Sequence, residues 1–211
     1  MATRPSRRSL DPRKSPAQAR STDTVNTLLE AAARILETQG FAGYTTNAIA
    51  ERAGVSIGSL YQYFPGKDAL TVALVERETS TLLREIAAAN QAASAADGFE
   101  RVIAAAVAHQ MRRPALSRLL DFAEARLPLD ARNARVAERI QGQLLALLER
   151  PDLSLGAMLI PLPTLAHDLL GLIKGLIDGA GERAERDAVD LEQRVRRAVF
   201  AYLQASRKRQ V

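Results

Sequence analysis

The chain has 211 residues, 47% of them apolar and 25% charged, with a formal charge of +5 and no cysteine. This composition is globular, and it excludes a disulfide framework, a thiolate metal site and a cysteine nucleophile. No run approaches the roughly 18 apolar residues of a membrane span, and the basic opening MATRPSRRSL lacks the apolar stretch of a secretory signal, so a soluble cytoplasmic protein is expected.

Charge is unevenly placed. Residues 1–67 hold nine Lys or Arg against five Asp or Glu, whereas the other 144 carry twenty against nineteen. A basic front on a near-neutral body points to a polyanionic partner, or to nothing more than a solvated basic tail. Residues 1–20 place Arg4, Arg7, Arg8, Arg13, Lys14 and Arg20 among three Pro and three Ser without a periodic apolar face, and read as a disordered arm.

From Thr22 onward, Val25, Leu28, Leu29, Ala32, Ile35 and Leu36 recur at helical spacing, which predicts a helix over about 22–39 ended by Gly40. The stretch TTNAIAERAG predicts a short second helix, capped by Thr45, with Ile49 and Ala53 on one face and Gly54 at its end. A third starts at the capping candidate Ser56, turns Leu60 and Phe64 inward, and closes at Pro65-Gly66. Two short helices about three residues apart, braced by a longer one, form a helix-turn-helix.

A long fourth helix is expected over 67–87, with Leu70, Ala73, Leu74 and Leu82 inward. Helices are then expected over 98–113, 114–125, 134–149, 164–178 and 187–205. Pro128, Pro151, Pro161 and Pro163 mark interruptions, and Gly179 and Gly181 separate the last two helices. The fold class is all-α, with a helix-turn-helix domain at 21–67 and a larger helical domain at 68–211.

The third helix is built to touch something. In a chain with nine Phe or Tyr and no Trp, GVSIGSLYQYFPGK gathers Tyr61, Tyr63 and Phe64. Its first turn, Ser56, Ile57, Gly58 and Ser59, is the part of a groove-entering helix that comes nearest to base edges, and Gly58 permits close approach. Gln62 suits a bidentate pair with adenine, Ser59 donates or accepts, and the Ile57 methyls suit thymine. Tyr61 and Tyr63 cannot both face inward, which leaves a phenol to reach phosphate. Lys67, a cation in a first helical turn, opposes the helix dipole and is better explained by a nearby phosphate. Thr45, Thr46 and Asn47 bring hydroxyls, an amide and free backbone N–H groups to the start of the second helix, of the kind that hold a phosphate.

The segment IAERAGVSIGSLYQYFPGKDAL, with the helix before it, resembles the signature of the TetR family of one-component bacterial transcription regulators over about residues 22–72. The resemblance implies a DNA-binding domain in a homodimer that covers a palindromic operator, usually as a repressor, until a small effector in the C-terminal domain releases it. It places the recognition helix at 56–64, base-facing roles at Ile57, Gly58, Ser59 and Gln62, and phosphate roles at Tyr61, Tyr63, Lys67, Thr45 and Thr46. The sequence departs from the family pattern at Tyr44, where a small or aliphatic residue is usual.

For the body, the last two helices carry Leu165, Leu169, Leu172, Ile173 and Leu176, then Leu191, Val195, Val199 and Tyr202, stripes that either fill their own core or form a four-helix interface between two copies. The resemblance favours the dimer. His109, Met111, Phe122 and Met158 are candidates to line an apolar effector pocket, although Met and Phe on helices more often fill a core. Two histidines 58 residues apart, no H-E-x-x-H and no phosphate-cradling Gly loop give no catalytic constellation, and no cofactor or metal is expected. The competing reading is a protein-interaction module on a degenerate helix-turn-helix without sequence-specific DNA binding.

Overall fold

The computed structural model describes residues 19–153 and 158–207, so the arm expected at 1–20 lies outside the described residues except for Ala19 and Arg20, which open the first helix instead of belonging to a disordered arm. Nine α-helices follow one another there: α1 Ala19–Gly43, α2 Thr46–Ala53, α3 Ile57–Tyr63, α4 Lys67–Ala89, α5 Ala95–Arg112, α6 Pro114–Glu124, α7 Asp130–Leu148, α8 Leu162–Glu182 and α9 Ala188–Ala205. Among the described residues the only other regular features are a 3₁₀ turn at Pro151–Leu153 and an isolated antiparallel bridge between Met158 and Arg207. The fold is all-α, an N-terminal helix-turn-helix followed by a larger helical part.

The chain divides into two units, one running to Arg77 and including Leu119–Leu127, the other formed by Glu78–Arg118 and the chain from Pro128. In the first unit Leu28, Ala32, Leu36, Ile49, Leu60, Leu70 and Leu74 are fully buried. Leu60 and Phe64 are the only large buried side chains that the 57–64 segment supplies, and they fix its inner side; removing such a side chain costs about 2–5 kcal/mol. In the second unit Phe99, Val102 and Ile103 of α5, Leu144, Leu147 and Leu148 of α7, Leu165, Leu169 and Ile173 of α8 and Leu191, Val195 and Val199 of α9 form one core.

Element ends show what the sequence conveys and what it hides. Gly40 has a positive φ of 61°, but its ψ of −160° lies far from the left-handed helical region, and α1 resumes for one more turn to Gly43. Gly179 and Gly181 do not separate the last helices. Both lie inside α8, and the break comes after Glu182, with Ala184 at φ 53°. Gly181 is small for another reason: a Cβ there would stand 2.4 Å from Nε2 of the buried Gln110. Pro161 and Pro163 open α8 rather than interrupt it, the second within its first turn, where a missing N–H costs nothing. The seventh helix starts at Asp130, four residues earlier than its apolar pattern predicts.

Candidate nucleic-acid interface

The α2–α3 corner is built from local hydrogen bonds. Thr45 is extended, and its Oγ1 accepts from the N–H of Ala48 at 3.2 Å. Gly54, at φ 69°, closes α2: its N–H donates to the Glu51 carbonyl and that of Val55 to the Ala50 carbonyl, both at 3.0 Å. This double bond pattern needs a left-handed residue, which glycine supplies without strain. Two residues later Ser56 caps α3, its Oγ accepting from the N–H of Ser59 at 3.0 Å. The turn is thus set by Thr45, Gly54 and Ser56 before any core contact is counted.

At 100° per residue the side chains of α3 sort into two faces. Ile57, Tyr61, Gly58 and Gln62 share an outward arc of about 140°, and all four are exposed, Ile57 by 38% and Tyr61 by 42%. A Cβ on Gly58 would meet only Ser56 Oγ, at 3.8 Å, so the outer surface there is bare backbone. Leu60 is fully buried on the opposite side, and Ser59 and Tyr63 lie half-buried between. Ser59 Oγ stands 2.8 Å from Ser56 Oγ, and Tyr61 Oη stands 3.2 Å from Thr46 Oγ1, which joins the outward face of α3 to the first turn of α2. Asn47 and Lys67 are exposed at the starts of α2 and α4. From Gly54 to Gly66 there is no charged side chain.

Tyr44, the departure from the family pattern, belongs to the scaffold. It is 2% exposed, its hydroxyl lies 3.2 Å from Thr71 Oγ1, and Thr71 Oγ1 donates to the Lys67 carbonyl at 2.9 Å. Burial pushes the Tyr44 hydroxyl up to about 12, the charge of Asp68 adding to this and the Thr71 bond offsetting part of it. The Tyr44–Thr71 contact is not visible in a local pattern, because the two residues are 27 apart. Phe41 meets Tyr44 edge-on, centroids 6.4 Å apart, and Phe122 in a tilted pair at 5.7 Å.

The residues proposed from sequence for an effector fall in both units. Phe122 is 52% exposed in the first unit, with Arg126 over its ring. His109, Met111 and Met158 lie in the second unit, His109 half-buried and the two methionines packed against the core. Burial lowers the His109 pKa, Glu78 and Glu85 act against that, and Arg112 reinforces it.

The apolar stripes of α8 and α9 also divide. Leu165, Leu169, Ile173, Leu191, Val195 and Val199 are buried in this chain's own core and have no surface left for a second copy. Leu172, Leu176 and Tyr202 remain partly exposed. Tyr202 donates to Asp168 Oδ2 at 2.6 Å. Helical periodicity marks an apolar stripe but does not say which of its residues are spent inside the chain, and only packing separates the two sets.

Residues 28–74 match the family profile described as bacterial regulatory proteins, tetR family. Nucleoid occlusion factor SlmA of Marinomonas sp. (strain MWYL1) is 28% identical over 155 residues, 71% of this chain and 79% of that protein. The uncharacterized HTH-type transcriptional regulator Rv1255c of Mycobacterium tuberculosis is 44% identical over 59 residues, 28% of this chain and 29% of that one. The crystal structure of a TetR transcription regulator from Haloarcula marismortui superposes with a TM-score of 0.70 at 18% identity, covering 89% of this chain and all of that one.

Proposed function

The chain belongs to the tetR family of bacterial regulatory proteins, and from that premise we propose that it is a homodimeric repressor which binds a palindromic operator and is released by a small effector. The observation that carries this reading is the outward arc of α3, four exposed residues backed by fully buried Leu60. In this reading the domain at 21–67 holds DNA and the helical domain at 68–211 holds the effector and the second copy.

Two kinds of contact share the work. The hydroxyls of Thr45 and Thr46, the first-turn N–H groups of Thr46 and Asn47, the Asn47 amide, the phenols of Tyr61 and Tyr63, and the Lys67 ammonium hold phosphates and set the register. Ser56 fixes the first turn of α3 by its cap, so that Ile57, Gly58 and Gln62 meet base edges. One such module buries only about 600–1,000 Å², too little for tight specific binding. Two copies about 34 Å apart supply the rest, with a palindrome mirroring their two-fold axis.

For the second copy, the support is the part of the α8–α9 surface left outside the core: Leu172, Leu176 and Tyr202. Gly171 and Gly175 lie exposed beside them, and a Cβ on either would meet nothing within 4 Å. Glycine inside a helix costs about 1 kcal/mol against alanine, and the close approach of a partner helix accounts for it. For the effector, His109, Met111 and Met158 of the second unit are the candidate wall. An effector releases DNA only by binding better to the state that fits the operator worse.

The experiment is selection of bound fragments from the source genome with the purified full-length protein. A palindrome at one or a few promoters supports the proposal and separates it from a role like that named for the Marinomonas relative. Retention of all fragments alike supports the interaction-module reading instead.

A further inference from the structure

Resting on the DNA-binding reading above, we infer that each operator half-site offers an adenine edge to Gln62 and a thymine methyl to Ile57, and that Ser59 positions α3 without reading a base. Guanine is most often read by the paired donors of Arg or Lys, and cytosine by a carboxylate. The segment from Gly54 to Gly66 contains neither kind of side chain. Of its exposed residues, only Gln62 carries a donor and an acceptor on one planar group, the arrangement that matches adenine N7 and N6. Ile57 presents branched methyls from an exposed position, and their match in the groove is the C5 methyl of thymine. The open surface at Gly58, between these two on the arc, lets the helix come close enough for short side chains to touch bases.

The Ser59 and Tyr61 hydroxyls are already committed. Ser59 Oγ and Ser56 Oγ are 2.8 Å apart, and Ser56 Oγ also accepts the Ser59 N–H. Ser59 therefore closes a small ring that holds the first turn of α3, from a half-buried site at the edge of the arc. Tyr61, at the centre of the arc, is tied through its hydroxyl to Thr46, on the side where phosphate is expected.

The test uses the full-length protein and a random-sequence duplex pool, followed by base-analogue replacement in the selected operator. Deoxyuridine in place of one thymine removes only the C5 methyl, and 7-deazaadenine in place of one adenine removes only N7. At one thymine per half-site the first replacement is expected to weaken the wild type about fourfold and to leave Ile57→Ala unaffected. At one adenine per half-site the second is expected to cost at least about fivefold and to leave Gln62→Ala unaffected. Ser59→Ala is expected to weaken operator and random DNA by the same factor. Both base-reading side chains are exposed, so their loss leaves the fold intact. A consensus of G·C pairs at the α3 positions overturns the inference while leaving the regulator standing. Analogue replacements that are harmless everywhere, or that weaken the variants as much as the wild type, overturn it too. A pool that yields no consensus overturns the DNA-binding reading itself.

Discussion

Thr46 Oγ1 and Tyr61 Oη lie 3.2 Å apart, a hydrogen bond between residues fifteen apart in sequence that ties the start of α2 to the outward face of α3. Tyr61→Phe keeps the ring and removes that tie together with the proposed phosphate contact. Affinity for operator and for random DNA is expected to fall together, by about 1 kcal/mol, in titrations at one fixed salt concentration. A loss confined to the operator would make Tyr61 a base reader.

Lys67 is exposed at the first position of α4. If it meets phosphate, Lys67→Ala lowers the slope of log K against log salt by about 0.9 for each copy in the dimer. It should do so on any duplex. A slope equal to that of the wild type removes Lys67 from the phosphate set.

Tyr44 gives the first unit a stability that depends on alkaline pH. Its hydroxyl stays neutral in the folded chain to about pH 12 but ionises near its ordinary value of 10 when unfolded. The contribution is therefore whole below pH 10 and is lost as the pH climbs through 12, a change of about 2–3 kcal/mol. Urea unfolding at pH 9 and pH 11.5 should show the decline in the wild type, and Tyr44→Phe should be less stable at pH 9 but decline much less.

In the second unit Gln110 Nε2 is buried without a hydrogen-bond partner among the described residues, against Gly181. An unsatisfied buried group costs about 1–3 kcal/mol, so Gln110→Leu is expected to raise the melting temperature. Gly181→Ala brings a methyl into the space of the amide and is expected to cost about 1–3 kcal/mol. Combining it with Gln110→Ala should recover part of that loss, a non-additivity that calorimetry on the four proteins measures.

For the dimer, Leu172→Glu places a charge on the partly exposed surface of α8. Sedimentation is expected to fall from about twice 22.9 kDa to a single copy of 22.9 kDa with helix content retained. Leu169→Ala, in the core, should instead lower stability by about 2–5 kcal/mol and leave the mass unchanged.

The helix-turn-helix was legible because its signals are local. Thr45, Gly54 and Ser56 bond within five residues of themselves, so residue type and spacing suffice to place them. The link from Thr46 to Tyr61 and that from Tyr44 to Thr71 span 15 and 27 residues, and no periodicity reveals them. Glycine misled for a related reason. Gly181 is small because of Gln110 on another helix, and a chain pattern reads it as a terminator. The α8 and α9 stripes gave the helices but not the division between Leu169, spent inside, and Leu172, left partly outside.

The uncharged stretch from Gly54 to Gly66 has a consequence when the ionic surroundings change. On the proposed reading, counterion release would govern how tightly the Lys67 ammonium grips any duplex, but it would have no hold on an amide or a methyl seated in the groove. Osmotic stress would then loosen the protein from every locus by one common factor, while the rank order of its targets stays the same.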